Sequence, residues 1–190
     1  MLKGGAITSV GVVPGRAPAG LRAGALVTDG VRIESFGEGS VRPWTEDERR
    51  ALGAVGAVGG QRPGSGEGAP SDAPAADAAT GAERDAASGA VLEACLDLLR
   101  PLPSRIVGID GPRAGGEELL DGARLADALG RPVVWDLRTA DLRLGGAGGP
   151  VDAFFHHGLA RHLRDRAPLA ILDLGAEGRL TWVDPAVERP

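Results

Sequence analysis

The sequence predicts an α/β protein built on a mixed sheet, in which a three-stranded meander is joined by parallel strands flanked by helices. Three strand-like runs follow one another between residues 6 and 44, and an Asp29-Gly30 pair separates the second from the third. Asp-Gly between two such runs is typical of a β-hairpin. Strand-like and helix-like segments then alternate towards the C-terminus, which is typical of parallel strands joined by helical crossovers.

The first part of the domain, residues 1–52, contains the meander. Its strands are predicted in the runs AITSVGVV, LRAGALVT and VRIESFG. A short helix is predicted in TEDERRAL, because Thr45 is a favourable N-cap residue and the acidic residues suit the positive end of a helix dipole.

Residues 53–88 are predicted to be a disordered insert, most clearly from Gly59 to Ala79. They consist largely of Gly, Ala, Pro, Ser and Asp, and they have almost no large apolar side chain to bury. Helical spacing of apolar residues resumes from Ala86 to Arg100, where Pro101 and Pro103 follow and end the helix.

The rest of the same domain, residues 89–190, is predicted to alternate strands and helices. RIVGID reads as a strand, residues 117–129 as a helix, and residues 152–166 as a basic amphipathic helix. A buried strand is predicted from Pro132 to Trp135, and Asp136 ends it before a glycine-rich turn. Open α/β sheets bind ligands at the carboxyl ends of their strands, so Asp136 is the leading candidate for a functional residue. Two further strands are predicted in LAILDLGAEGRLTWVD.

Composition excludes several classes of function. The chain has 190 residues and a net charge of −5, which gives no reason to expect nucleic-acid binding. The single Cys95 cannot form an intramolecular disulfide. The first residues do not resemble a signal peptide, and no segment approaches the ~20 apolar residues needed to cross a bilayer. A cytoplasmic protein without a membrane partner is therefore expected.

The segment GRPVVWDLRTADLRLGGAGGP, residues 130–150, resembles the anhydro-N-acetylmuramic acid kinases, sugar kinases of the actin-like ATPase superfamily that act in peptidoglycan recycling. Their pattern runs roughly VVADFRRRDVAAGGQGAP. Leu137 stands where the family has Phe, and Ala147 where it has Gln. The preceding LLDGARLADALGRPVV is similar to the family's QIGDPALIAERTGIPVV. The residues that match the first pattern in register are Asp136, Arg138, Asp141, Gly145, Gly146, Gly148 and Pro150.

The resemblance implies a ribonuclease H-like fold and ATP- and Mg-dependent phosphorylation of 1,6-anhydro-N-acetylmuramic acid with opening of its anhydro ring. Asp136 would then be the general base that activates the attacking water, and Arg138, Asp141 and Gly146 would contact the amino sugar. The alternative for the charged residues is structural, with Asp136 paired to Arg138 and surface ion pairs at Arg138 and Asp141. Family members carry a second domain, so a homodimer or a separately encoded second half is an expected partner.

The family's phosphate loops are altered in this chain. GVVPGRAPAGLRAGAL stands where the family has GVMSGTSLDGVDAAL, so Gly15 and Gly20 remain while hydroxyl and carboxylate side chains are lost. LDLGAEGRLT stands where the family has LNIGGIANLT and retains Gly175. These three glycines are the predicted phosphate contacts, and the lost side chains predict impaired or absent kinase activity. A non-catalytic, pseudokinase-like binding or interaction domain and an ATP-independent enzyme that uses Asp136 as a base remain the alternatives.

The three histidines invite a metal-site interpretation, but their spacing argues against it. His156, His157 and His162 are one and six positions apart on a predicted helix and do not converge on one face. No metal ligand is therefore predicted, and a helix-surface position is expected for His156.

Overall fold

A computed structural model describes residues 7–14, 20–29, 32–57, 79–148, 153–163, 168–174 and 178–187. The strands are β1 (Ile7–Pro14), β2 (Leu21–Thr28), β3 (Ile33–Phe36), β4 (Ser40–Arg42), β5 (Ile106–Ile109), β6 (Arg113–Ala114), β7 (Glu117–Glu118), β8 (Val133–Val134), β9 (Leu169–Leu174) and β10 (Gly178–Val183). The helices are α1 (Glu46–Ala54), α2 (Gly81–Leu99), α3 (Gly122–Leu129), α4 (Leu137–Arg143) and α5 (Ala153–His162).

The main sheet is mixed, as the sequence predicts. In the described part of the chain it has six strands in the order β3-β2-β1-β5-β8, and β4 pairs with the other end of β2. The meander pairs are antiparallel, whereas β5 is parallel to β1 and β8 is parallel to β5. The mixed α/β architecture is confirmed. The prediction of a buried strand before Asp136 is wrong, because β8 is a two-residue edge strand and Val134 and Trp135 are each more than a third exposed.

Helix α1 begins as predicted, at an N-cap formed by Thr45. The Thr45 hydroxyl accepts a hydrogen bond from the amide of Glu48, and the Glu48 carboxylate accepts one from the amide of Thr45, which completes a capping box. The same carboxylate pairs with the Arg42 guanidinium, which also contacts Asp97 on α2. Glu48 and Arg42 are both largely buried, so this ion pair connects β4, α1 and α2 in a partly dry environment.

Replacing Glu48 by Gln is expected to cost about 2–3 kcal/mol of unfolding free energy at pH 7, because it leaves the largely buried Arg42 with only the exposed Asp97 as a counter-charge. Burial alone would raise the pKa of Glu48, but hydrogen bonds from Arg42 and Thr45 outweigh it and lower that pKa below its ordinary value of 4.5. The stabilisation is therefore present above pH 4.5 and is lost as the pH falls through the lowered pKa. Urea denaturation from pH 7 to pH 3, with the exposed Glu46→Gln as control, measures it. An equal loss at both pH values would contradict the prediction.

Helix α2 is longer than the sequence pattern indicates. It begins at Gly81 instead of Ala86, because Thr80 and Glu83 form a second capping box that fixes its start. Ala87 is completely buried. Residues 81–88 of the predicted insert are thus part of the packed domain, and residues 58–78 lie outside the described residues.

The hydrophobic core lies where α2 packs against the main sheet and against helices α1 and α3. Helix α2 packs against β2, β4, α1 and α3. Its buried positions repeat at helical spacing, which gives a continuous apolar stripe. The largest fully buried side chains of the described chain are Leu21, Leu99, Leu125, Val55, Val91, Val107 and Cys95.

The helix predicted over residues 117–129 begins later, at Gly122. Glu117 and Glu118 instead form β7, which pairs with β6 in a short hairpin. Gly115 and Gly116 connect the two strands, and both have positive φ angles (60° and 84°). Such angles suit a two-residue hairpin turn, and glycine adopts them at no steric cost. Asp121 then caps α3 by accepting hydrogen bonds from two backbone amides.

The C-terminal elements are α5 and a separate hairpin of β9 and β10, and the hairpin confirms the two predicted strands. His156 and His157 are buried, so the prediction of a helix-surface position for His156 is wrong. His157 makes a hydrogen bond to the carbonyl of Val187, and His162 makes one to the carbonyl of Ile33. Among the described helices, none is long and apolar enough to span a membrane.

Candidate active site

Two parallel strands end side by side at the edge of the main sheet. In β5 and β8, Val107 pairs with Val133 and Gly108 with Val134. Asp110 and Asp136 lie two residues beyond this last registered pair, one after each strand. The fold therefore brings two acidic residues to the carboxyl ends of neighbouring parallel strands, where open α/β sheets bind their ligands.

Asp136 has an unusual backbone conformation. Its φ of 48° and ψ of 43° place it in the left-handed region, and it is the one non-glycine residue with positive φ among the described residues. Helix α4, which was not predicted from the sequence, begins directly after it and precedes the glycine-rich turn. The Thr139 hydroxyl donates a hydrogen bond of 2.8 Å to the Asp136 carboxylate. Backbone conformations of this kind cost about 1–3 kcal/mol and are concentrated at functional sites.

Arg113 lies among three carboxylates at this edge. Its Nη2 is 3.5 Å from Glu118, 3.7 Å from Asp136 and 3.9 Å from Asp110. These charges have different surroundings, since Glu118 is almost fully buried, Asp136 is 30% exposed and Asp110 is mostly exposed. Asp136 thus contacts Arg113 and Thr139, and the predicted pairing with Arg138 is absent from the described contacts. A ligand can reach Asp136 and Asp110 but not Glu118.

Glu118 was not identified from the sequence. Its carboxylate accepts a hydrogen bond from the amide of Gly111 (3.0 Å) and another from the amide of Asp136 (3.1 Å). Burial raises the pKa of Glu118, and the Gly111 amide and the Arg113 charge partly oppose that increase. The Gly115-Gly116 hairpin places Glu118 here, so Gly-Gly after RIVGID was the sequence signal that could have found it.

Asp141 and Gly146 are in contact. The Asp141 carboxylate accepts a hydrogen bond of 2.8 Å from the amide of Gly148. A Cβ on Gly146 would lie 2.1 Å from an Asp141 oxygen, so a side chain at this position would displace the Asp141 carboxylate. The side-chain stem of Arg138 packs on Gly148. These predicted sugar contacts therefore shape the glycine-rich turn after α4, while the exposed Arg138 guanidinium is available to solvent at this edge.

The predicted phosphate-binding glycines are only partly described. Gly20 has a φ of 122°, and a Cβ there would lie 2.1 Å from the carbonyl oxygen of Arg42. Its close packing on Arg42 and Pro43 explains why glycine is needed, and phosphate binding by Gly20 stays a prediction. Gly15 and Gly175 lie outside the described residues.

The acidic residues of this edge surround an arginine side chain. No cluster of three or more His, Cys, Asp or Glu side chains suited to a metal ion is found within the described ranges. The guanidinium of Arg113 lies among Asp110, Glu118 and Asp136, where it supplies the positive charge that a cation would supply.

Comparison with known proteins finds relatives of this chain. The chain is 36% identical over 99% of its length to an anhydro-N-acetylmuramic acid kinase from Roseobacter denitrificans. It is 39% identical over its whole length to the one from Cereibacter sphaeroides, and 32% identical over 92% of its length to the one from Paramagnetospirillum magneticum. The chain is a relative of the anhydro-N-acetylmuramic acid kinases. No family model matches it.

The similarity has a definite extent. The chain spans about half the length of the curated relatives that it matches, 47% and 48% for the first two. The match to these kinases extends over the whole chain, so it includes the edge with Asp110, Asp136 and Arg113.

Proposed function

We propose that this chain has a ribonuclease H-like fold and forms the sugar-binding side of an anhydro-N-acetylmuramic acid kinase, with Asp136 as general base. The observation that carries the proposal is the position of Asp136 at the end of β8, in a strained conformation and partly exposed, in a chain whose relatives are named as these kinases. The amino sugar is the small-molecule partner.

The proposed chemistry begins with a water molecule beside the sugar. Asp136 takes a proton from this water as its oxygen attacks C1, and the bond from C1 to the bridging oxygen O6 breaks. O6 then accepts the γ-phosphoryl group of ATP as the bond to the β-phosphate breaks and ADP leaves, and Asp136 afterwards releases its proton to solvent. Thr139 orients the Asp136 carboxylate through its hydrogen bond. Arg113 holds its positive charge 3.7 Å from the Asp136 carboxylate and so fixes the electrostatic surroundings of the proposed base.

Nucleotide use is proposed to be weak. A kinase must hold the phosphates of MgATP with backbone amides, hydroxyl groups and cations. The segment from Gly11 to Gly20 contains Pro14 and Pro18, which have no backbone N–H, and it has no Ser, Thr, Asp or Glu. Impaired phosphoryl transfer with retained sugar binding is therefore the expected state of the chain.

Separate calorimetric titrations test this proposal. We expect 1,6-anhydro-N-acetylmuramic acid to bind, MgATP to bind at least about tenfold more weakly, and both together to give slow turnover. Sugar binding without any turnover would favour the non-catalytic alternative. MgATP binding without sugar binding would overturn the proposal. Chemical conversion of the sugar in the absence of nucleotide would instead favour an ATP-independent enzyme.

The hairpin of β9 and β10 supports a proposal about protein partners. Leu172 pairs with Leu180 and Ala170 pairs with Trp182, so these side chains share one face of the hairpin. Leu172, Leu180 and Trp182 are each more than half exposed. We propose that this face packs against a second copy of the chain or against a separate polypeptide equivalent to the rest of the longer relatives.

Self-association through this face is the expected result for the chain alone. Sedimentation velocity should detect a dimer whose population rises with concentration, and Leu180→Lys should raise the dissociation constant at least about tenfold because it places a charge in an apolar contact. Leu144→Lys is the control, since Leu144 is 89% exposed but lies outside the hairpin. A wild-type monomer at all concentrations would contradict dimer formation.

A further inference from the structure

We propose that Glu118 is a positioning residue that fixes the ends of β5 and β8 together and thereby sets the location of Asp136. Glu118 lies on β7, outside both strands, and has no direct access to a ligand because its side chain is only 3% exposed. The inference rests on the proposed function, in which Asp136 is the base.

The geometry of the Glu118 carboxylate carries this inference. One oxygen accepts the amide of Gly111, which follows β5, and the other accepts the amide of Asp136, which follows β8. The backbone pairing of β5 and β8 ends at Gly108 and Val134. Beyond this pair, the Glu118 side chain joins the two segments in place of further hydrogen bonds between their backbones. A carboxylate can accept from both amides at once, whereas an amide side chain offers only one oxygen.

Gly111 provides an independent sign that this approach is close. A Cβ on Gly111 would lie 2.8 Å from Oε1 of Glu118, which is nearer than real Cβ atoms come to such an oxygen. A side chain at residue 111 would therefore push the carboxylate out of the position in which it reaches both amides. Asp136, whose amide donates to this carboxylate, has a left-handed conformation that is uncommon for residues other than glycine.

Glu118→Gln tests the inference, with Glu117→Gln as the matched control, because Glu117 is its neighbour but is exposed and pairs with Arg84. Hydrogen exchange and amide proton shifts of the free protein are measured by NMR. In Glu118→Gln we expect the amide of Gly111 or Asp136 to exchange about tenfold faster or more and to move upfield, while Val107 and Leu125 stay unchanged. Glu117→Gln should match wild type. Unchanged amides in Glu118→Gln would overturn the inference.

Sugar affinity and turnover complete the test. A positioning role predicts that Glu118→Gln lowers kcat about tenfold or more with a smaller change in KM, since Asp136 is displaced while the sugar contacts remain. If wild type binds no sugar, the proposed function fails, but the amide measurements still decide whether Glu118 fixes Asp136. Gly111→Ala is a second test in case Glu118→Gln folds poorly. It keeps the charge of Glu118 but pushes the Glu118 carboxylate away, so it should perturb the Asp136 amide in the same way.

Discussion

Asp136→Asn is expected to lower the turnover of 1,6-anhydro-N-acetylmuramic acid with MgATP about 10²–10⁴-fold, the usual contribution of a general base. Asn has nearly the same shape, also tolerates the left-handed conformation found at this position, and can still accept a hydrogen bond from Thr139. It cannot take a proton from the attacking water. The substitution therefore removes the chemistry and leaves the local structure in place.

Steady-state kinetics and calorimetry together measure this effect. The affinity for the sugar should change by less than about fivefold, because Asp136 acts mainly in the transition state. Asp127→Asn is the control. Asp127 is exposed on α3, and this substitution also removes one negative charge, but from a helix outside the site. A variant with the wild-type rate would show that Asp136 is not the base.

Arg113→Met is expected to destabilise the fold by about 2–4 kcal/mol at pH 7, because it leaves the buried Glu118 charge without a nearby cation. Arg113 is itself mostly buried, and its guanidinium is 3.5 Å from Glu118. Met fills a similar volume, so little packing is lost. Urea denaturation measures the loss, with Arg124→Met on the exposed side of α3 as the control.

The pH dependence of this loss has a defined sign. Burial raises the pKa of Glu118 in the folded protein, and removing Arg113 raises it further because that charge opposes the increase. Between the pKa of Glu118 in the unfolded chain and its higher pKa in the folded variant, this carboxyl group is therefore protonated in the folded state and ionised in the unfolded state. The variant's deficit should shrink as the pH falls from 7 through the raised pKa of Glu118, because the buried carboxylate becomes neutral. A deficit that stays constant or grows on acidification would contradict this account.

Local sequence signals predicted much of the fold. Asp29-Gly30 marked the β2–β3 connection, and Thr45 marked the start of α1 through its capping box. Both rest on interactions within a few residues, which a sequence displays directly. The start of α2 was missed because Thr80 and Glu83 lie in a Gly- and Ala-rich stretch in which the capping box is the one strong helix signal.

The candidate site was predicted in part. Asp136 was found because it follows an apolar run, whereas the α4 helix after it was not predicted. No apolar run precedes Glu118, so the same signal could not identify it. Its role depends on the hairpin of β6 and β7, which brings it to the ends of β5 and β8. Glu117 and Glu118 also favour a helix start, and the Gly115-Gly116 turn overrides that preference. The burial of His156 and His157 likewise follows from tertiary packing of α5.

The central claim is that the edge formed by β5 and β8 binds the anhydro sugar, and an NMR titration of the 190-residue chain with 1,6-anhydro-N-acetylmuramic acid tests it most directly. The account predicts saturable shifts of the amides of Gly111, Asp136 and Thr139, and no comparable shifts in the hairpin of β9 and β10. The same shifts should persist in Asp136→Asn with similar affinity. Shifts confined to other parts of the chain, or none at millimolar sugar, would contradict it.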